Sequence, residues 1–128
     1  MKSSVTASLL GLIGPELAAT EEIFRRHLAS DVPFIDQAGV YLADGGGKRV
    51  RPALLLLTAR LLGHEGPEAV TYGAVVELIH TATLIHDDII DHATLRRGKP
   101  TLNHLWGNHQ TVLLGDWIYT AAMRMALS

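Results

Sequence analysis

The segment from Glu68 to about Asp91 constrains the fold of this chain more than any other. Pro67 can open a helix there, and apolar side chains take most sides of it: Val70, Val75, Val76, Leu78, Ile79, Leu84, Ile85, Ile89 and Ile90. A long helix that is apolar nearly all round has to be surrounded by other helices, so a bundle with this element in its middle is expected. Its C-terminal half nevertheless carries His80, His86, Asp87, Asp88 and Asp91. At about 100° per residue, Asp87 and Asp91 lie roughly 40° apart, and His80 falls between them in angle about two turns earlier. One face therefore presents an imidazole and two carboxylates, with Asp88 flanking.

Three acids at a helix C-terminus oppose the helix dipole and repel one another. Caps and salt bridges at a solvated end are one compensation. A hard divalent cation is the other. Mg2+ takes carboxylate oxygens and completes its shell with water and substrate phosphates, whereas Zn2+ prefers His and Cys. The chain has no Cys, which also excludes disulfide scaffolds and thiol catalysis.

The remaining punctuation is helical too. Gly14-Pro15 places proline in a first turn, and Leu17, Ala18, Phe24 and Leu28 then recur at helical spacing. Ser30 or Asp31 is expected to cap a second helix, to about Leu42, stopped by Gly45-Gly46-Gly47. A third helix is expected from about Arg51-Pro52 to Gly63. After the long helix come a basic loop over Leu95 to Pro100, a short helix over Thr101–Trp106 and a last helix from Asn108 onward. No period-2 pattern of useful length interrupts them. With aromatic residues at 5% and Leu and Ala plentiful, the expected fold is all-α, in one domain over residues 1–128. Ile118–Leu127 is still apolar and helical where the sequence stops, which reads as a chain cut inside or just after a helix.

A formal charge of −2 gives no support to nucleic-acid binding. No apolar run approaches the roughly 20 residues of a membrane span. Lys2 alone precedes the apolar run Val5–Ile13, and no small-residue cleavage site follows, so the chain reads as cytoplasmic.

Two cationic clusters accompany the acids. Arg96, Arg97 and Lys99 follow them directly, and Lys48, Arg49 and Arg51 follow the three glycines at the start of a helix. Salt-bridged or solvated basic turns would explain either cluster alone. Together with the acid face they suggest anions held between guanidinium forks and Mg2+, for which diphosphate is the fitting chemistry. The second cluster adds free helix N–H groups but is not a Walker A loop, because Arg49 rather than Ser or Thr follows Lys48.

Gly46-Gly47-Lys48-Arg49-Val50-Arg51-Pro52 resembles the first motif of the trans-isoprenyl diphosphate synthases. Glu77 through Asp91, followed by Arg96-Arg97-Gly98, resembles their first aspartate-rich motif with its arginine pair, and Asn108 to Tyr119 is similar to the helix after it. The run from about Asp31 to Met125 is most similar to the long-chain members. The resemblance implies an all-α fold around a central cavity, usually homodimeric. It also implies head-to-tail condensation of an allylic diphosphate with isopentenyl diphosphate. Asp87, Asp88 and Asp91 would then hold Mg2+ on the allylic diphosphate and Arg96 would contact it. Lys48, Arg51, His80 and Arg97 would bind isopentenyl diphosphate. Family members that stop at short products carry bulky aromatics at the positions of Ala82 and Thr83, so these small residues imply a long product.

The family's second aspartate-rich motif has no counterpart here, because the only acid after Asp91 is Asp116. The chain is therefore expected to be an N-terminal portion that is inactive by itself. Two competing readings are a metal phosphohydrolase, using His64, His86-Asp87 and Asp116, and a non-catalytic helper subunit. His86 is expected to be a hydrogen-bonded helix residue, Asp116 a cap or ion-pair partner, and Trp106 and Trp117 packing anchors.

Overall fold

The computed structural model describes residues 4–45 and 47–128, so Lys2 and Gly46 lie outside the described residues. Among the described residues seven helices follow in order: α1 (Ser4–Leu12), α2 (Gly14–Arg26), α3 (Pro33–Ala43), α4 (Val50–Leu61), α5 (Glu68–Ile90), α6 (Leu102–Trp106) and α7 (Asn108–Leu127). Between α5 and α6 sit β1 (Leu95–Arg96) and β2 (Lys99–Pro100). As its composition requires, α5 runs through the centre and packs mainly against α7, α4 and α2. The core joins Val75, Leu78, Ala82 and Ile85 of α5 to Leu114, Ile118 and Ala122 of α7 and to Phe24 of α2. A side chain on Gly115 would collide with the His86 ring, so glycine there allows α7 to approach α5 closely.

Three local expectations are corrected. The segment Ser4–Leu12 forms α1, whose residues are not buried and which packs against α4. Helix α3 begins at Pro33, with Val32 rather than Ser30 or Asp31 at the cap position. The Ser30 hydroxyl instead accepts from the Val32 N–H at 3.1 Å, and the Asp36 carboxylate accepts from the Ser30 N–H at 3.1 Å. Serine organises the approach to the helix, while the fixed φ of proline starts it.

The third correction bears on the site. The basic segment is an antiparallel hairpin in which Leu95 faces Pro100 and Arg96 faces Lys99. Its two-residue turn is Arg97-Gly98, with φ of 53° and 78°. A tight hairpin of this kind needs positive φ at both positions. Glycine meets that requirement freely, whereas an L-residue such as Arg97 does so at a cost of roughly 1–2 kcal/mol.

Candidate functional site

The acid end of α5 divides into an inward and an outward pair of tasks. Asp91 caps the helix, its N–H donating to the Asp87 carbonyl at 2.8 Å. Asp87 and Asp91 are therefore successive-turn neighbours, and both are exposed. Asp88, rotated by about 100° from Asp87, is 8% exposed. Arg96 donates to it from Nε to Oδ2 at 2.9 Å and from Nη2 to Oδ1 at 2.7 Å. The bond to Asp88, with the charges of Asp88, Asp87 and Asp91, outweighs burial and raises the Arg96 pKa.

Both Asp88 oxygens are engaged by the Arg96 guanidinium fork in this structure. Asp87 and Asp91 remain as two hard oxygen donors with Cβ atoms about 5–6 Å apart. That pair fits Mg2+, which usually takes one or two protein carboxylates and fills its octahedron with water and phosphate oxygens. Among the described residues no group of three or more His, Asp or Glu side chains is gathered into a metal site. A ligand's phosphates would have to complete the coordination.

The cationic cluster at the start of α4 is also split. Lys48 and Arg51 are exposed, and Arg51 Nη1 lies 3.2 Å from His80 Nε2. Burial first, then the charges of Arg51, Arg96 and Arg97, push the His80 pKa below 6.5. Arginine can only donate, so in this contact His80 Nε2 accepts the hydrogen bond from Arg51 Nη1. Arg49, grouped with the other two on sequence, turns inward. Its Nε lies 2.5 Å from Glu21 Oε1, its Nη2 3.0 Å from Glu21 Oε2 and its Nη1 3.3 Å from Glu77 Oε2. Its guanidinium also stands 4.5 Å from the Phe24 ring centroid.

Glu21 and Glu77 were not singled out on sequence. A lone acid in the apolar middle of α5, one turn before His80, is the signal that marks Glu77. Burial raises the Glu77 pKa against the opposing charge of Arg49. Burial would also raise Glu21, but hydrogen bonds and charge from Arg49 and Arg25 outweigh it and hold that carboxyl low. Tyr41 was likewise missed, and its hydroxyl donates to the Pro100 carbonyl at 2.6 Å, tying the hairpin to α3.

A cavity of about 120 Å³ lies between α2, α3, α5, α6 and the hairpin. His80, Arg96 and Arg97 line it together with Phe24, Tyr41, Leu84, Ile85 and Leu102, so cations meet apolar wall in one space. Lys48, Arg51, Asp87 and Asp91 lie outside its lining, as do Ala82 and Thr83. Thr83 is exposed one turn before Asp87 on the same face. Ala82 is 2% exposed and belongs to the main hydrophobic core. In this structure Ala82 therefore faces packed side chains, whereas Thr83 faces solvent.

The phosphohydrolase constellation is not assembled. His64 pairs with Glu68 at 3.5 Å, about 28 Å along α5 from Asp87. Asp116 pairs with His86 Nε2 at 3.3 Å, which also lies 3.3 Å from the Val112 carbonyl. Trp106 packs edge-on against Phe34 and Tyr41, as an anchor should.

Comparison with known proteins follows the same residues. A family model described as Polyprenyl synthetase matches residues 32–128. Octaprenyl diphosphate synthase of Escherichia coli is 47% identical over 117 residues, covering 91% of this chain and 36% of that protein. The crystal structure of a decaprenyl diphosphate synthase from Rhodobacter capsulatus superposes with a TM-score of 0.89 at 40% identity, over 94% of this chain and 38% of that one. A polyprenyl synthase from Caulobacter crescentus, complexed with calcium and isoprenyl diphosphate, superposes with a TM-score of 0.91 at 36% identity, over 99% of this chain and 39% of that one. The chain thus spans about a third of the length of the relatives it matches.

Proposed function

We infer the function from one premise: the chain belongs to the polyprenyl synthetase family. It supplies the N-terminal portion of a prenyltransferase that condenses an allylic diphosphate with isopentenyl diphosphate and releases pyrophosphate. The observation that carries this reading is the division of the acid end of α5. Asp87 and Asp91 face out as oxygen donors while Asp88 holds Arg96 beside them.

Asp87 and Asp91 would hold Mg2+, which neutralises charge on a departing diphosphate when bound. Arg96, oriented by Asp88, presents its remaining N–H donors to the allylic diphosphate, since a guanidinium has five and one carboxylate cannot take them all. Lys48, Arg51, His80 and Arg97 bind the diphosphate of isopentenyl diphosphate. As the allylic C–O bond breaks, its electron pair leaves with the diphosphate, and fixed cations stabilise that growing charge. Leu84 and Ile85 keep the neighbouring wall apolar, so that the alkene rather than water meets the allylic cation.

The parent enzyme makes a long product. Support comes from small Thr83 below Asp87 and from the octaprenyl and decaprenyl synthases among the relatives. A second copy is its partner, with exposed Leu54 and Leu61 on α4 and Leu113 on α7 as apolar surface to cover. No described helix is long and apolar enough to cross a membrane.

Calorimetric titration against paired ligands tests the reading. With Mg2+ present, isopentenyl diphosphate should bind at least roughly tenfold more tightly than isopentenyl monophosphate, because the second phosphate engages further charged donors. Equal affinity for the two would contradict it.

A further inference from the structure

The proposed chemistry gives Arg49 no task, yet its guanidinium is held by two carboxylates. The residue stands at the N-cap of α4 in the left-handed region, with φ of 55°. A non-glycine residue keeps that conformation only where its surroundings over-determine it. Here they do: Glu21 of α2 takes Nε and Nη2, Glu77 of α5 takes Nη1, and the Phe24 ring lies against the guanidinium. Gly47 completes the fit, because a Cβ there would come within 2.5 Å of Arg49 Nη1.

Two carboxylates around one cation make a poor device for stability alone. Apolar residues of the same volume often serve as well or better. Direction is what an ionic clamp adds. Arg49 meets Glu77 at 3.3 Å and, two residues on, Arg51 meets His80 at 3.2 Å. Glu77 and His80 are one turn apart on α5, so the two contacts are successive rungs between that helix and the start of α4. The first rung is 15% exposed on its arginine side chain, while the second is open to solvent.

We propose that Arg49 is a positioning residue: clamped between Glu21 and Glu77, it fixes the start of α4 so that Arg51 meets His80 with Lys48 alongside. That these three receive a diphosphate rests on the function proposed above; the positioning itself does not. Arg49 touches no substrate in this role and acts through its neighbours.

The test uses Arg49→Lys, Glu77→Gln and Arg51→Ala in the whole chain. Lysine keeps the charge but lacks the planar fork that spans two carboxylates. The ring nitrogens of His80, observed by NMR without ligand, report the Arg51 contact directly. In Arg49→Lys they should move to the values found in Arg51→Ala, while the helical circular dichroism stays at the wild-type level. Isopentenyl diphosphate, titrated with Mg2+, should then bind roughly ten- to a hundredfold more weakly. Wild-type His80 signals in a folded Arg49→Lys chain would overturn the proposal. If that variant does not fold, Glu77→Gln decides by the same signals. A wild-type chain that binds no isopentenyl diphosphate would remove the functional reading, and the His80 signals would still decide the positioning role.

Discussion

Arg96 grips both carboxylate oxygens of Asp88 across the turn that ends α5, at 2.7 and 2.9 Å. The bond joins a nearly buried acid on the central helix to a hairpin of two-residue strands whose turn is itself strained at Arg97. Asp88 therefore fixes where the hairpin cations stand, and Asp87, its neighbour in sequence, is left for another partner.

Replacing the two aspartates should separate these roles. Asp88→Asn removes a charged acceptor from an inward position and should cost about 1–3 kcal/mol of stability. Asp87→Asn, at an exposed position, should stay within about 0.5 kcal/mol of wild type. Urea unfolding midpoints measure both. Equal losses in the two variants would contradict the division.

Ala82 and Thr83 should part in the same way. Ala82→Phe inserts a ring into the buried core around α5 and should cost about 1–3 kcal/mol or more. Thr83→Phe, on the exposed face, should leave the thermal midpoint within a few degrees of wild type. In a full-length relative with these residues, Thr83→Phe should shorten the product. An unchanged product length there would remove Thr83 from the tunnel.

His80 gives the chain a definite pH response. Burial, followed by the charges of Arg51, Arg96 and Arg97, holds its folded pKa below 6.5. The unfolded chain thus binds the proton more readily between the folded value and 6.5. Stability from this group is fully present above 6.5 and is lost as pH falls toward the folded pKa. Unfolding midpoints between about pH 7.5 and 5.5 should drop less in His80→Gln than in wild type. A larger drop in the variant would reverse the assigned sign.

Much of this was legible in the sequence, and the failures have physical causes. The apolar girth of α5 dictated a central helix, and Gly14-Pro15, Pro67 and Thr101 marked helix starts that the structure keeps. Helix α1 escaped because none of its residues is fully buried: Leu10 packs partly against Ile13, Ala53 and Leu56, and the apolar run Val5–Ile13 shows no single buried face. The hairpin escaped because its strands are too short for alternation, although Arg97-Gly98 carried the turn signal. At the site, angular spacing correctly paired Asp87 with Asp91. Composition could not tell Arg49 from Lys48 and Arg51: all three are basic, and only the left-handed backbone at Arg49 sends one guanidinium inward.

The chain by itself should not turn over isopentenyl diphosphate and an allylic diphosphate. It has one acidic cluster, and its remaining acid beyond Asp91, Asp116, is paired with His86. Product analysis after extended incubation with both substrates and Mg2+ checks this. Steady release of pyrophosphate matched by a prenylated product would refute it.

The most direct measurement of the central claim is calorimetric titration of the chain with a non-reacting allylic diphosphate analogue, run with Mg2+, with excess chelator, and with the Asp87→Ala chain. Two carboxylates and the ligand's phosphates share one cation in this account, so binding should require Mg2+ and fall sharply in Asp87→Ala, with the fold intact. Undiminished binding in chelator, or in Asp87→Ala with Mg2+ present, would contradict it.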